Sequence, residues 1–320
     1  SERIEETPST VTLRLRAAHG LLPPHHAGQY FNLYVHREGV STSRPYSVSS
    51  PPRTVNSIEM TIKRKEGGFI SSHLYENASV GDAFHVSGPE GEFYINPLRD
   101  TRDIVGIGVG SGITPLMSMA EEISVTGRGV KMLLVHGSRS EEEIIFRDRL
   151  LALDEQSPWL RLVQVLSRPS EVWKGERGRI DADLLHRLLD PGAIHGQTFF
   201  VCGPRALYQS VLRGLGTLGA PRHRIHLESY GPPEDVTSEE SWPEHVAPDT
   251  RFLVHLPGRE EPIEAPAGEP LLNTLERHGH PTSPICRSDV CDSCKVRVAE
   301  GDVFVPPAED GYSVKHDGGF

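Results

Sequence analysis

The hydrophobic and polar positions of the first 98 residues alternate in short runs that glycine and proline interrupt. Alternation with a period of two is typical of half-buried antiparallel strands. The pattern predicts five strands, TVTLRLRA, QYFNLYVH, RPYSVSS, SIEMTIKRK and DAFHVSG. We therefore expect residues 1–98 to form a small antiparallel β-barrel.

The pattern changes in residues 99–232, where short apolar runs alternate with segments of helical periodicity. The apolar runs predict strands at 103–110, 131–137, 161–168 and 198–204. The remaining segments predict helices at 114–127, 144–156, 181–189 and 207–219. Because strands that alternate with helices form a parallel sheet with helices on both faces, we expect an α/β domain here.

The last part of the chain predicts a linker and a smaller domain. Residues 233–248 are rich in proline and acidic side chains and show no periodicity, which indicates a linker. Residues 249–320 contain a strand, RFLVHLP, a hairpin partner, EEPIEAPAG, and a helix, PLLNTLERHG, before a loop with three of the four cysteines. We therefore expect a multi-domain chain that ends in an α+β domain.

The net charge of −11 arises entirely in the C-terminal part. Residues 1–232 contain 26 acidic and 26 basic side chains, whereas residues 233–320 contain 18 acidic and seven basic ones. This acidity argues against nucleic-acid binding, which needs basic surface. It suits docking on a basic partner protein, although a well-solvated surface explains the charge equally well.

The sequence also predicts the compartment. No apolar run approaches the roughly 20 residues that span a bilayer. The N-terminus SERIEETPST has no signal-peptide pattern and starts inside a predicted strand. Clustered cysteines indicate ligands or reactive thiols in a reducing compartment rather than disulfides, so we expect a cytoplasmic protein.

Two stretches of the predicted barrel suit a planar, phosphorylated ligand. In RPYSVSS, Arg44 can hold a phosphate by a forked contact, and Tyr46 and Ser47 offer a flat ring and a small hydroxyl. In KRKEGGFISSHL, glycines let backbone N–H groups turn toward an anion, and a helix that begins at the serines presents its positive end. The candidates in this stretch are Lys63, Gly67, Gly68, Ser71 and Ser72.

The predicted α/β domain has two further candidate sites at strand ends. In IGVGSGITPLMSM, Gly110 and Gly112 permit close approach of a pyrophosphate to the start of a helix, where Thr114 and Pro115 lie. In FFVCGPRALY, Cys202 ends a strand, at the sheet edge where α/β proteins bind ligands. Taken singly, these stretches also fit a plain strand–helix turn and a buried structural cysteine.

The loop CRSDVCDSCKVRV, residues 286–298, has the spacing C-x4-C-x2-C. A plant-type [2Fe–2S] loop has this spacing and needs a fourth thiolate further along. A zinc site that includes one of His278, His280 or His316 is the alternative, but zinc sites favour pairs of the form C-x2-C. The sequence therefore favours a [2Fe–2S] cluster, and its predicted ligands are Cys286, Cys291 and Cys294.

In this order, the motifs resemble those of the ferredoxin–NADP reductase superfamily. R-x-Y-S and G-G-x-x-S are similar to its flavin-binding elements, and GPEGEFY to its G-P-x-G-x-F element. GSGITP is similar to its NAD(P)H-binding turn, and C-G-P to the strand end beside the nicotinamide. A flavin barrel, a nucleotide domain and a C-terminal plant-type ferredoxin of β-grasp fold follow each other in the phthalate dioxygenase reductase and vanillate demethylase reductase group.

The resemblance implies roles for single residues. Arg44 and the loop 67–72 would contact the flavin phosphates, and Tyr46 and Ser47 the flavin ring. Cys202 would lie beside the nicotinamide and position hydride transfer. The residues implied in catalysis are Ser47 and Cys202, and those implied in nucleotide-side binding are Gly110, Gly112, Thr114, Pro115, Ser138, Arg139 and Gly203. HLESYG closes the nucleotide domain near the same place and adds Glu228 as a catalytic and Tyr230 as a binding candidate, although a structural strand end is the simpler interpretation of both.

The resemblance leaves two cofactor choices open. Phe93 and Tyr94 could stack on an adenine, which favours FAD, whereas relatives of the phthalate enzyme favour FMN. Ser138 and Arg139 could accept the 2′-phosphate of NADPH, whereas residues 141–143, all glutamate, would repel it and favour NADH.

Two features depart from the ferredoxin that the loop resembles. Asp289 and Asp292 occupy positions that are usually glycine, where they would weaken cluster assembly or lower the potential of the cluster. No cysteine follows Cys294. The fourth ligand is expected just beyond Phe320, so that the 320-residue chain would stop a few residues before it.

Together the motifs imply an NAD(P)H-dependent oxidoreductase. NAD(P)H gives up two electrons as a hydride, a [2Fe–2S] cluster accepts one, and a flavin between them separates the pair. The resemblance implies that the cluster reduces a terminal oxygenase or demethylase component. Two alternatives are an electron-transfer subunit of a larger complex, and a flavin- or oxygen-reducing enzyme with a vestigial third domain.

Overall fold

The computed structural model describes residues 1–126, 129–231, 236–238, 241–280, 282, 284–288, 291 and 293–305. The chain divides into two compact units. The first comprises Ser1–Phe31 and Tyr46–Ser229, and the second comprises Asn32–Pro45 and Tyr230–Phe320. The C-terminal residues therefore share a unit with a short segment from early in the chain.

Residues 1–98 contain short strands, as their alternation predicts. The elements are β1 (Glu2–Thr7), β2 (Thr10–Arg16), β3 (Tyr30–Arg37), β4 (Val40–Ser47), β5 (Ser57–Lys63), α1 (Ser71–Asn77) and β6 (His85–Glu90). Strand β2 pairs antiparallel with both β1 and β5. Val11 and Leu13 of β2 are buried, and between them Thr12 donates or accepts a 2.8 Å hydrogen bond with the Thr61 hydroxyl of β5. Both faces of this sheet are therefore covered.

Residues 99–229 form the predicted parallel sheet. The elements are β7 (Asp103–Val109), α2 (Ile113–Thr126), β8 (Lys131–Ser138), α3 (Arg147–Gln156), β9 (Leu160–Leu166), β10 (Glu176–Arg177), α4 (Ala182–Leu188), β11 (Gln197–Cys202), α5 (Arg205–Thr217) and β12 (Ile225–Glu228). The strand order is β10-β9-β8-β7-β11-β12, and all neighbours are parallel. The order reverses between β7 and β11, and ligands of open α/β sheets bind at the carboxyl end of such a reversal.

Helices bury both faces of this sheet. One apolar cluster joins Leu116 of α2 and Leu150 of α3 to the sheet, and the other joins Leu185 of α4 and Val211 of α5 to the opposite face. This arrangement confirms the expected α/β architecture. Among the described helices, none is both long and apolar enough to cross a bilayer.

Helix α3 begins three residues later than the sequence predicts. Phe146 has a φ of 59°, in the left-handed region that right-handed helices do not use, so the helix starts only at Arg147. The Phe146 ring is buried, and the Arg149 guanidinium lies 5.1 Å above it. Strand β10 was not predicted, because two residues carry no periodicity.

The second unit contains residues 32–45, which form most of the β3–β4 hairpin, and the C-terminal elements. Strands β3 and β4 are neighbours and are joined by a tight turn at Glu38 and Gly39. The C-terminal elements are β13 (Arg251–Val254), β14 (Ile263–Pro266) and α6 (Leu271–Arg277), in the order that the sequence predicts. Strands β13 and β14 pair antiparallel, and α6 buries Thr274, Leu275 and Glu276.

Part of the predicted linker is packed within the second unit. The Trp242 indole N–H donates to the Val246 carbonyl at 2.8 Å, and its ring lies edge-on against Phe304 at 4.9 Å. The domain boundaries at 98, 232 and 248 stay predictions, because the two compact units have different boundaries.

Candidate redox site

The glycine-rich turn after β7 packs directly on the end of β11. Gly110 has a φ of +57°, and residues Gly110–Gly112 form one turn of 3-10 helix before α2. A Cβ at Gly112 would lie 2.1 Å from the Cys202 carbonyl oxygen. No side chain fits there, so glycine is required for the turn to reach the strand end. The predicted residues Thr114 and Pro115 are buried at the start of α2, where the Thr114 hydroxyl donates to the Ser111 carbonyl.

Cys202 lies at the centre of the carboxyl edge of the sheet. In the strand register it stands between Gly108 of β7 and Glu228 of β12. Its side chain is fully buried. The sheet thus brings Cys202 and Glu228, two of the three predicted catalytic residues, to adjacent strand ends.

The third predicted catalytic residue meets them at the same edge. The Ser47 hydroxyl, at the end of β4, donates to Glu228 Oε1 at 3.0 Å. The Glu228 residue is half-buried, and its carboxyl is desolvated. Desolvation raises the pKa of the carboxyl, the Ser47 hydrogen bond opposes this rise, and the resulting pKa is about 8. At neutral pH the carboxyl is therefore protonated.

Tyr208 anchors this edge, and the sequence did not single it out. Its hydroxyl lies 2.7 Å from the Gly203 carbonyl and 2.5 Å from the Glu228 carbonyl, and it accepts the Gly203 N–H. The ring is buried in the core beneath α5. A tyrosine five residues after the glycine of a C-G-P strand end is the signal that could have revealed it.

Lys63 and His136 flank the glycine-rich turn. The Lys63 ammonium pairs with Glu143 at 3.5 Å and would lie 3.6 Å from a Cβ at Gly110. Burial lowers the pKa of His136, and a hydrogen bond with the Gly110 backbone opposes this effect, so that the pKa is about 4. The imidazole is therefore neutral at pH 7. His136 was not predicted, because a histidine within an apolar strand shows no spacing signal.

The residues predicted to face the 2′-position of the nucleotide lie at the end of β8. The Ser138 hydroxyl is 3.5 Å from His136 Nε2, and the Arg139 carbonyl accepts the Arg168 N–H at 2.7 Å. Just beyond, the Glu141 carboxylate accepts from the Ser170 backbone N–H and hydroxyl. Ser170 thus fixes the negatively charged Glu141 carboxylate, and Glu141 follows Arg139 by two positions in the sequence.

The predicted phosphate loop is a closed turn at the start of α1. The Ser71 hydroxyl accepts the Lys65 N–H, and the Ser72 hydroxyl donates to the Lys65 carbonyl. Gly67 has a φ of +68°, and a Cβ built on it would meet no atom within 4 Å. Gly68, in contrast, is tight, because its Cβ would lie 2.5 Å from the Ser71 Oγ. The serine hydroxyls support the loop, and the side of Gly67 toward which a Cβ would point is open.

The structure corrects the expectation for Phe93. Its ring is buried in the core and lies edge-on to Phe200 at 5.2 Å, so it has no free face for an adenine. Tyr94 stacks on His26 at 4.4 Å with an angle of 12° between the planes. The EFY motif therefore supports the barrel through Phe93, and only Tyr94 is placed near the surface.

Arg44 and Tyr230 belong to the second unit. The Arg44 guanidinium donates to the Thr42 hydroxyl at 2.7 Å and to the Ser43 carbonyl at 2.8 Å. It also lies 3.9 Å from the Glu276 carboxylate. The Tyr230 side chain is 43% exposed.

The three predicted ligands of the cluster lie close together in sequence and differ in exposure. Cys286 is buried, Cys294 is half-buried and Cys291 is exposed. The Cys286 sulfur accepts the Ser288 N–H at 3.4 Å, and the Cys291 sulfur is 3.1 Å from the Ser293 hydroxyl. Asp289 and Asp292 lie outside the described residues.

The electrostatics of the loop show that the three sulfurs interact. Desolvation raises the pKa of Cys291, but hydrogen bonds with Ser293 and Cys286 outweigh it, so the net pKa is lowered. Desolvation, and then the charges of Cys286 and Cys291, raise the pKa of Cys294. In the described part of the chain, no three His, Cys, Asp or Glu side chains converge on one point. The donor chemistry fits thiolate ligands of an iron–sulfur cluster.

Comparison with known proteins identifies the parts of the chain. Residues 2–95 match an oxidoreductase FAD-binding domain, residues 107–213 an oxidoreductase NAD-binding domain, and residues 254–319 a 2Fe-2S iron-sulfur cluster binding domain. The ferredoxin reductase component of a 3-ketosteroid-9-alpha-monooxygenase from Rhodococcus rhodochrous is 30% identical over 86% of this chain and 77% of its own. The chain belongs to the ferredoxin–NADP reductase superfamily.

Further relatives match this reductase over nearly its whole length. The stachydrine N-demethylase reductase subunit Stc4 of Rhizobium meliloti (strain 1021) is 28% identical over 97% of this chain and 90% of its own. The structure of phthalate dioxygenase reductase superposes with a TM-score of 0.71 at 24% identity and covers 94% of this chain and 85% of that one, which supports the fold. The reductase is therefore an NAD(P)H-dependent oxidoreductase with FAD, NAD and 2Fe-2S domains, as the sequence predicts.

Proposed function

We propose that this reductase takes electrons from NADH through FAD to a [2Fe–2S] cluster and delivers them singly to a terminal oxygenase or demethylase component. A bound flavin would supply the chemistry that links a two-electron hydride donor to a one-electron acceptor. The observation that carries the proposal is the convergence of Ser47, Cys202 and Glu228 at one edge of the nucleotide-binding sheet.

This edge supports hydride transfer through the positions of its polar groups. Gly112 lets the pyrophosphate-binding turn approach the backbone of Cys202. Glu228, protonated at neutral pH, holds a proton on its carboxyl beside the Ser47 hydroxyl. Ser47 and Glu228 can hold and pass a proton at the point where the ends of β4, β11 and β12 meet. Cys202, fully buried, positions the strand end and need not act as a nucleophile.

The proposed acceptor follows from the relatives and from charge. The relatives are reductase components of monooxygenase and demethylase systems. Residues 233–320, which include the 2Fe-2S domain, contain 18 acidic and seven basic side chains. An acidic surface steers toward a basic face on an acceptor and accelerates encounter at low salt.

Anaerobic stopped-flow spectroscopy of the full-length, cofactor-loaded protein tests the proposal. We expect NADH to bleach the flavin bands first and the iron–sulfur bands afterwards, and added cytochrome c to be reduced one electron at a time. In a Cys294→Ser variant, NADH should still bleach the flavin, but reduction of cytochrome c through the cluster should be lost. Flavin bleaching in the wild type that is never followed by cluster bleaching would contradict the proposal.

A further inference from the structure

Arg287 lies inside the cysteine loop, yet its side chain points into the second unit. Only 9% of it is exposed. Its guanidinium donates to the Ser43 carbonyl at 2.8 Å, to the Thr42 hydroxyl at 2.7 Å and to the Asn273 side chain at 3.3 Å. It also forms a short ion pair with Glu276. One side chain thus connects the cysteine loop, helix α6 and strand β4.

Glu276 is the acidic centre of this network. Its side chain, 5% exposed, accepts from Arg287 and from the Thr42 hydroxyl at 2.9 Å, and it lies 3.9 Å from Arg44. A buried carboxylate is stable only when its charge is paired and its oxygens are hydrogen-bonded. Glu276 meets both conditions only while the β3–β4 hairpin and the cysteine loop are both in place.

A second contact joins the same two segments. The Ser43 hydroxyl donates to the Pro284 carbonyl at 3.2 Å, two residues before Cys286. The hairpin therefore binds the chain on both sides of Cys286, through Pro284 before it and Arg287 after it.

The backbone of Arg287 indicates that its side chain is needed there. Its φ is 55°, in the left-handed region that non-glycine residues rarely adopt. Glycine would adopt this conformation without strain, because it has no Cβ. A strained arginine at this position is consistent with a side chain whose contacts offset the cost.

We propose that Arg287 is a positioning residue, which with Glu276 fastens the cysteine loop to the strand that carries Arg44. The inference rests on the proposed function, in which electrons pass from the flavin to the cluster. Strand β4 spans Val40–Ser47, and its residues Thr42 and Ser43 bind the loop while Arg44 follows directly in the same strand. A fixed attachment would hold the cysteine loop, and with it the cluster, in one position within the second unit.

Three variants test the attachment, with one matched control. Arg287→Ala removes all contacts of the guanidinium, and Glu276→Gln keeps the shape of the acid but removes its charge. Arg287→Lys keeps the charge, but a single ammonium cannot replace the planar fork. Arg297→Ala removes the same charge from an exposed position in the same region.

Hydrogen exchange measures the attachment directly, on the cofactor-loaded protein without turnover. We expect Arg287→Ala to accelerate amide exchange in peptides covering 38–45 and 284–288 together, by about tenfold or more. Glu276→Gln should give a smaller joint increase, and Arg287→Lys should restore part of the protection. Arg297→Ala should match the wild type. An increase in only one of the two peptides, or in neither, would overturn the proposal.

Stopped-flow reduction by NADH separates positioning from a merely structural role. In Arg287→Ala we expect flavin bleaching within about twofold of wild type and cluster bleaching slowed about tenfold or more, since small misplacements of reacting groups have large effects on rate. Unchanged cluster bleaching, or an equal slowing of both steps, would refute the positioning role. If wild-type cluster bleaching is absent, the proposed function fails, and the exchange result alone decides whether the attachment exists.

Discussion

The Ser47 hydroxyl donates a 3.0 Å hydrogen bond to the carboxyl group of Glu228, although 181 positions separate the two residues. Ser47 ends a strand of the FAD-binding region, and Glu228 ends the last strand of the nucleotide-binding sheet. The bond shows that the flavin side and the nucleotide side of this oxidoreductase meet through polar groups. Variants on either side of the bond can therefore test the site.

Glu228 should make the protein less stable as pH rises toward 8. Its folded-state pKa of about 8 lies above the usual 4.5, so its stabilising contribution is complete below pH 4.5 and is lost as pH rises through 8. Glutamine at this position is uncharged at every pH. The Tm of Glu228→Gln minus the Tm of wild type should therefore be about 5 °C larger at pH 8 than at pH 5. Thermal denaturation at both pH values measures this.

The control for that experiment is Glu155→Gln, an exposed glutamate at the end of α3. It should shift Tm equally at both pH values. A Glu228→Gln difference that stays constant from pH 5 to pH 8 would show that the folded-state carboxyl has an ordinary pKa.

Gly112→Ala should damage the nucleotide-binding turn. The new methyl group would lie 2.1 Å from the Cys202 carbonyl, so the turn or the strand end must shift. We expect a loss of about 2 kcal/mol in stability and a raised KM for NADH. Gly216→Ala is the control, because no atom lies within 4 Å of its Cβ in helix α5 and alanine there should be neutral or slightly stabilising. Equal effects of the two variants would contradict the prediction.

Arg44→Ala should weaken FAD binding. If Arg44 contacts a flavin phosphate, as the R-x-Y-S motif predicts, loss of a charge-assisted hydrogen bond should raise the Kd for FAD about 10- to 100-fold. Fluorescence titration of apoprotein with FAD measures the change. Arg16→Ala, an exposed arginine in the same region, should leave the Kd unchanged. An Arg44→Ala variant with wild-type affinity would assign Arg44 to the Glu276 network alone.

Glu141 should contribute to a preference for NADH over NADPH. Its carboxylate is held by Ser170, and hydrogen bonding to Ser170 lowers its pKa, so it is charged at neutral pH. Glu141→Gln should raise kcat/KM for NADPH about fivefold through lost repulsion, and leave that for NADH within about twofold. Steady-state kinetics with both nucleotides measure this. A rise of the same size in Glu155→Gln would show that the effect is not local.

Cys294→Ser should abolish the iron–sulfur cluster and spare the flavin. Loss of one thiolate from a site of four cysteine ligands removes a required ligand. We expect the iron content of the full-length protein to fall from about two atoms per chain to near zero, with the flavin bands retained. Iron analysis and visible absorbance measure both. Cys202→Ala, at the other redox element, should keep its iron; a cluster that survives Cys294→Ser would exclude this cysteine as a ligand.

The sequence by itself determined the cofactor-binding elements and most of the secondary structure. The change from period two to alternating strands and helices predicts the antiparallel region and the parallel sheet, because these periods report which faces are buried. Cys202 could be placed at a strand end, and Gly112 in the turn after a strand, from their positions after apolar runs. Residues in such motifs are constrained locally, so the sequence carries their signal.

Only the tertiary structure decided which residues meet across long separations in the chain. It paired Ser47 with Glu228, placed Tyr208 beneath Gly203, and buried Phe93 where a stacking surface was expected. It also linked Arg287 to Glu276 and to Thr42 of strand β4. Neither periodicity nor motif spacing reports such contacts, because they depend on how separate elements pack, and packing is fixed by the whole fold rather than by neighbours in sequence.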